Sequence, residues 1–413
     1  MPAVRGPARP AERRAAPPAA AALAALALAC GVEDPADQGA DQLAESAAAP
    51  ASPAPREDPL GELAALGYSG WDEVDDEEVT AASSGVASSW PRVFANDRDL
   101  VTVLDPEGRV LRTLRVPDRT QVEFARVLPG GRIACVSVDE GLTLLEADGT
   151  VVWAVDMPCH HEVALVPEAR PAGERRLAVA VHHEREHRGR RVRFDEVVFV
   201  EERDGSAASD LPTWRTHDHL EGLMGRAAGP HPLDRAPEGA GIDGTVYDYF
   251  HLNAISFSAP GTMLLCLRNV DLLVEVDVAS GAPGRSVGPG ILDWPHAPSA
   301  VGDGARWLVF DNGKHRGWSR VVELDPDTGE VSWAFPAAGA GGLFSEVRGF
   351  AQRLPGGTTL ITESERGRAL EVSHAGDVLW EYLNHEVRTT PQGTAVRRRI
   401  YRMTAVPPED VAP

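Results

Sequence analysis

Residues 121–138 read QVEFARVLPGGRIACVSV and residues 347–364 read VRGFAQRLPGGTTLITES. Each has a polar or basic start, an apolar strand, a Pro-Gly-Gly turn and a second, more apolar strand. Short apolar runs bounded by Pro and Gly are the mark of buried strands rather than helices. The unit recurs as HHEVALVPEARPAGERRLAVAV (160–181), HLNAISFSAPGTMLLCLR (251–268) and HAPSAVGDGARWLVFDNG (296–313). A sixth copy, IYRMTAVPPED (400–410), stops after its first strand. A strand able to complete it stands near the other end, in VFANDRDLVTVLD (93–105).

A second repeat interleaves with the first. Hairpin turns of the Asp-x-x-Gly kind occur in LDPEGRVLRTL (104–114), LEADGTVVW (145–153), VEERDGSAA (200–208), VDVASGAPGRSV (276–287), LDPDTGEVSW (324–333) and VSHAGDVLW (372–380). Their glycines, Gly108, Gly149, Gly205, Gly281, Gly329 and Gly376, supply the positive φ that tight hairpins need. Four of the five steps between them span 41 to 56 residues, the period of propeller blades. Both repeats count six. The expected fold is an all-β, six-bladed β-propeller, closed by pairing of the N- and C-terminal segments so that no sheet edge stays open. The one long step, Gly205 to Gly281, holds extra sequence at 209–247, an insertion of the length that forms lids and binding loops.

Charge locates the rest of the chain. Of 413 residues, 40 are Lys or Arg and 62 are Asp or Glu, a net −22. Residues 1–30 carry +3, residues 31–80 carry −13, and the remainder carries −12. An acidic body argues against a general nucleic-acid binder. Four cysteines are too few for a disulfide scaffold. Residues 1–30 have a basic start (Arg5, Arg9, Arg13, Arg14), a short Ala/Leu run and Ala27-Leu28-Ala29 before Cys30, the pattern of an export signal. The segment resembles a bacterial lipoprotein signal with Cys30 as the lipidated residue. The protein is therefore expected to be exported, either periplasmic or membrane-anchored through lipid alone. Residues 31–89 read as an acidic Ala/Pro-rich tether with one short helix at 60–68, since such a composition cannot repay its ordering entropy. Residues 90–413 are the expected propeller.

In a propeller the starts of the innermost strands converge at one mouth of the central channel. Here those starts are His160-His161, His251-Leu252-Asn253, His296, Glu346-Val347-Arg348 and Tyr401-Arg402, with Gln121 and Glu123 holding the sixth place. Several His and Arg from distant segments thus meet, and the chemistry implied is anion handling. Arg presents a planar fork to sulfate, phosphate or carboxylate. His can bind an anion, move a proton or act as nucleophile. His161, His251 and His296 could also hold zinc, but neighbouring Arg would repel a cation, so neither metal nor cofactor is expected. Loop 311–317 (DNGKHRG) would offer Lys314, His315 and Arg316 at a blade edge, and 182–188 (HHEREHR) reads as an exposed charged hairpin. Cys135 and Cys266 read as buried small residues, and export would permit a Cys135–Cys159 disulfide. No Gly-rich phosphate loop, nucleophile elbow or Cys-x-x-Cys pair is present.

FHLNAI (250–255), DWPHAP (293–298), FDNG (310–313) with Arg316, SEVRG (345–349) and RIYRM (399–403) together resemble the bacterial arylsulfotransferase family, over about 90–410. That resemblance implies a six-bladed periplasmic propeller. It would move a sulfuryl group from a phenolic sulfate ester to another phenol, without a nucleotide donor, through a transiently sulfated channel His. His251 and His296 match family His positions, and Arg316 matches the Arg after the Asp-Asn-Gly loop. The start of the late blade, 346–348, offers no His. The expected catalytic set is His251, His296, Arg316 and Arg348. His161, Asn253, Asn312 and Arg402 would line the substrate, and Trp214 and Trp294 would stack on its aryl rings. Expected partners are a small aryl sulfate and a phenol, with no nucleic acid. Two readings from other classes stay open: an exported propeller that binds an anionic or aromatic ligand without turnover, and an interaction scaffold.

Overall fold

The computed structural model describes residues 82–411 except 84–86, 97, 172–173, 204, 209–212, 228–232, 234–245, 338–341 and 390–394. The signal-like segment with Cys30, the tether up to residue 81 and the expected helix at 60–68 lie outside the described residues, as does most of 209–247.

Six antiparallel sheets follow one another along the chain, as both repeats predict, and form a β-propeller. From the axis outward, blade one is Met403–Ala405, Arg92–Ala95, Leu100–Leu104 and Val110–Arg115. Blade two is Val122–Val127, Ile133–Ser137, Gly141–Leu145 and Val151–Val155. Blade three is Cys159–Leu165, Arg175–His187, Arg190–Arg203 and Ser206–Ala208. Blade four is Leu252–Ala259, Thr262–Leu267, Leu272–Asp277 and Pro283–Val287. Blade five is Pro295–Val301, Arg306–Asp311, Arg320–Leu324 and Val331–Phe335. Blade six is Phe350–Arg353, Thr359–Glu363, Arg368–Val372 and Val378–Leu383. Met403 pairs with Phe94 and Ala405 with Arg92, so blade one takes its innermost strand from the far end of the sequence.

The core is six separate seams, one between each pair of neighbouring blades. Val93, Val101 and Val122 lie in the seam between blades one and two; Phe124, Leu144 and Val179 in that between two and three; and Phe194, Leu252 and Leu265 in that between three and four. Cys266 and Trp307 lie between four and five, Phe310 and Ile361 between five and six, and Phe94, Trp380 and Met403 between six and one. A blade covered on both faces needs apolar residues at consecutive positions, and Ile133–Ser137 and Gly141–Leu145 are buried throughout. Outermost strands face water, and Val110 and Leu111 are exposed there.

Three local expectations change. Ala82–Ser83 adds to the outer edge of blade six, so sheet pairing begins inside the segment read as tether. The 182–188 stretch ends the long strand Arg175–His187 of blade three and begins the turn to Arg190–Arg203, but its base is drawn inward, where His182 stacks on His160 with ring centroids 3.9 Å apart. Cys135, Cys159 and Cys266 are buried free thiols, so the disulfide that export would permit is not formed; Cys159 lies on a strand and donates to the Ser137 carbonyl instead.

Candidate active site at the channel mouth

Every innermost strand runs away from the same mouth, which is why residues just before or at its start meet there. Local backbone sharpens this. His161, His251 and Trp294 all have φ between 55° and 57°, a left-handed turn at the start of blades three, four and five. Non-glycine residues accept this conformation at a cost and hold it only where the surroundings fix it. At blade six the job falls to Gly349, with φ 151°: a Cβ there would lie 2.3 Å from the Phe310 ring, so only glycine lets this blade approach its neighbour beside Arg348.

Three of the predicted histidines are hydrogen-bonded together and a fourth stands near them, all buried. His251 Nε2 lies 3.1 Å from His161 Nε2, and His161 Nδ1 lies 2.9 Å from His160 Nδ1. His251 Nδ1 bonds the carboxylate of Asp248. Beyond His160, its Nε2 is 3.4 Å from Asp195 Oδ1. The His161 backbone N–H donates to Glu123 of blade two at 3.0 Å. His296 is the fourth. Its Nδ1 donates to Asn312 Oδ1 at 2.6 Å, and its Nε2 is buried without a protein partner. Asn312 can only accept there, because its Nδ2 already donates to the carbonyls of Ser345 and Arg348. His296 is thereby held in the tautomer with its Nε2 lone pair free.

Burial keeps the imidazoles uncharged. Desolvation, with Arg268 adding to it and Asp248 opposing, brings His251 down to about 4. Desolvation pushes His160, His161 and His296 well below the usual range too, each helped by neighbouring positive groups. Burial and the nearby Asp248 charge hold Asp195 well above a normal carboxyl. Burial would raise Asp248 as well, but its pairing with His251 outweighs that and holds the carboxyl below its usual range. Tyr401, its ring edge-on to His161 at 5.9 Å, has a buried hydroxyl without a protein partner, and desolvation pushes it far above the usual phenol range. It stays a neutral donor.

The arginines divide. Arg402 is fully buried on the axis, bonded to Glu162 and donating to the Asn253 carbonyl at 2.8 Å. Asn253 donates to the Pro295 carbonyl, leaving its side-chain oxygen without a protein partner. Arg348 bonds Glu365 at 2.8 Å and lies over the Tyr401 ring. Arg316 is not brought to the histidines. The buried carboxylate of Asp311 and the carbonyls of Asp311 and Trp318 hold it within its own loop. The aromatic expectations also change. Trp214 packs in the seam between blades three and four and donates to the Gly281 carbonyl, in a turn at the opposite end of blade four. Its strand, Trp214–Arg215, pairs with the third strand of blade three, which carries it away from the channel. Trp294 is at the mouth, but Lys314 and Arg268 lie over its ring, 3.8 and 4.3 Å from the centroid.

Sequence reasoning missed Asp248, Asp195 and Arg268. The Asp-x-x-His spacing of Asp248 and His251 was a usable signal, and Arg268 ends the strand that returns to the mouth. Asp195, in mid-strand, gave none. Along the axis, beyond the histidines, a cavity of about 320 Å³ is lined by Glu162, Ile255, Ala297, Phe350 and Arg402 among others. No group of His, Cys, Asp and Glu among the described residues has the geometry of a metal site.

No curated protein matches the chain. Among solved structures, a Bacteroides caccae protein of unknown function is 13% identical, covering 76% of this chain and 98% of that one, with a TM-score of 0.48. A nidogen/laminin complex component is 13% identical over 76% of this chain and 97% of that one, TM-score 0.47. Streptogramin B lyase is 11% identical over 81% and 97%, TM-score 0.40. Likeness this distant bears on neither fold nor activity. The family comparison is of another kind: residues 232–386, which carry Asp248, His251, Arg268, His296, Asn312 and Arg348, match the arylsulfotransferase (ASST) family over that part of the chain.

Proposed function

We propose that the channel mouth transfers a sulfuryl group from an aryl sulfate to a phenol, without a nucleotide donor, and that His296 is the nucleophile. The observation that carries this is the free, buried Nε2 of His296, its lone pair exposed by the Nδ1–H···Asn312 bond. Of the channel histidines, His251 and His161 turn their Nε2 atoms toward each other instead. In the first half-reaction Nε2 attacks sulfur, the N–S bond forms, the S–O bond to the aryl oxygen breaks, and the phenolate departs. In the second, the acceptor oxygen attacks sulfur, the N–S bond breaks, and neutral His296 returns. Donors aimed at developing charge are the largest catalytic contribution in such sites. Arg268, Arg348 and the Tyr401 hydroxyl are the donors at this mouth.

The test is nitrophenolate release from p-nitrophenyl sulfate with phenol as acceptor. Wild type turns over, and His296→Asn loses on the order of 10³-fold or more of kcat, as removal of a nucleophile does. Absence of release by wild type over a range of phenols would sink the reading. Aryl-sulfate binding without turnover would favour the ligand-binding alternative, which the carboxylate partners of Arg316, Arg348 and Arg402 support, since these cations are already neutralised. Export with a lipid on Cys30 belongs to the same proposal, supported by the basic, apolar and small-residue pattern of 1–30. Cys30→Ala should lose incorporation of labelled palmitate and leave the membrane fraction; retention of label would refute the anchor.

A further inference from the structure

Three imidazoles and two carboxylates line up across blades three and four, hydrogen-bonded from Asp248 to His160 and in contact from His160 to Asp195. It runs Asp248, His251 Nδ1 and Nε2, His161 Nε2 and Nδ1, His160 Nδ1 and Nε2, Asp195. The central contacts are 3.1 and 2.9 Å, and the last is 3.4 Å. The last is an ion-pair distance and not a formed hydrogen bond: His160 Nε2 and Asp195 Oδ2 are both buried without a hydrogen-bond partner and face each other across that gap. Each imidazole has both nitrogens in the row. A neutral imidazole donates with one nitrogen and accepts with the other, so fixing one tautomer fixes all three. Only two arrangements satisfy every link. With Asp248 ionised, His251 donates from Nδ1, His161 from Nε2 and His160 from Nδ1, and Asp195 carries the proton. With Asp195 ionised, all three tautomers reverse and Asp248 carries the proton.

We propose that this row is a proton store serving sulfuryl transfer. One proton passes between Asp195, sealed in the interior, and the Asp248–His251 end, where the Asp248 side chain is 20% exposed. The proposal rests on the sulfuryl-transfer reading. In the first half-reaction the row gives its proton to the departing phenolate, which leaves as a phenol, and both carboxylates are then ionised. In the second half-reaction the acceptor phenol returns a proton to the row as its oxygen bonds to sulfur. Over the cycle the row is unchanged and no proton need cross the buried wall. His161 and His160 are positioning residues, since they act through His251.

The groups facing the row are consistent with this. From blade two Glu123 receives the His161 N–H, and from the chain after blade six Tyr401 meets the His161 ring. From blade three come Arg193, and His182, which stacks on His160 and pairs with Asp139. From blade four come Arg268 and the Leu252 N–H, which donates to Asp195. The positive groups offset the charge of the doubly ionised row.

Two measurements test it. The first varies the leaving group. p-Nitrophenolate departs without a proton, whereas the phenolate of unsubstituted phenyl sulfate gains from one. His160→Asn and Asp195→Asn should therefore slow the single-turnover release of phenol roughly a hundredfold, the usual worth of general-acid help, and leave nitrophenol release within about threefold of wild type. Equal losses on both donors would overturn the store and leave a structural role. The second needs no turnover. With ¹⁵N-labelled histidine, Asp248→Leu leaves Asp195 as the only carboxylate, so the protonated nitrogen of His160 must move from Nδ1 to Nε2, two imidazoles away from the change. An unaltered His160 spectrum overturns the row as a coupled unit. If wild type fails to turn over while this signature is seen, the sulfuryl-transfer reading fails and the coupled row stands.

Discussion

At the scale of the residue, the decisive pair is His296 and Asn312. Neutral imidazole has two tautomers, and only one leaves Nε2 nucleophilic. Asn312 selects it because its amide nitrogen is already committed to two carbonyls. Asn312→Leu should lower kcat by roughly a hundredfold while KM moves little, because the wrong tautomer binds substrate without attacking it; a pure KM effect, read from steady-state kinetics, contradicts this. Acid stability is set at the same scale. As pH falls through 6.5, the unfolded chain takes up a proton at His251 that the folded protein refuses until about 4. Stability is therefore lost over that window, about 3 kcal/mol from His251 alone. His160, His161 and His296 act in the same direction, and Asp195, protonated more readily when folded, opposes them. Melting temperature should fall steadily from pH 6.5 to 4.5, and a rise on acidification would contradict the buried neutral cluster.

At the scale of the element, the described part of the inserted segment packs against blades three and four. Trp214 serves as packing between blades three and four, with its indole N–H on the Gly281 carbonyl. Trp214→Ala should cost about 3–5 kcal/mol in denaturant melts, the usual price of an emptied aromatic site, with KM for the aryl sulfate unchanged. A raised KM would restore the stacking role that the sequence suggests. Another described part of the segment leads into Val246–Asp248, which pairs parallel to the third strand of blade three and delivers Asp248 to His251. This marks what sequence reading could reach. Residues at strand starts, such as His161, His251, His296 and Arg402, follow the repeat, so counting repeats located them. Arg316 and Trp214 were misplaced because loop chemistry and added strands obey local partners, Asp311 and Gly281, that no repeat encodes. Asp195 was invisible because a buried carboxylate in mid-strand looks like any outward-facing polar residue until its neighbour across the seam is known.

At the scale of the whole molecule, charge and the proposed substrate are opposed. Residues 81–413 carry −12, and an aryl sulfate approaches as an anion. Long-range repulsion is screened by salt, whereas contacts with Arg268 and Arg348 inside the mouth are shielded from it. kcat/KM for an anionic donor should therefore rise as salt goes from about 10 mM to about 150 mM, where the Debye length shrinks to about 8 Å. A fall would mean that the positive mouth, and not the acidic body, governs encounter.

The ring also has a temporal order. Blade one receives its axial strand, Met403–Ala405, after every other blade has been made, and the residues just before that strand are Tyr401 and Arg402. Domains fold from the N-terminal side as the chain emerges. Five blades can therefore form around a channel that still lacks its buried phenol and its axial guanidinium. The site is assembled last, so on the proposed function an unfinished chain is an inactive one: the order of synthesis itself keeps the proposed sulfuryl-transfer centre silent until Met403–Ala405 has docked.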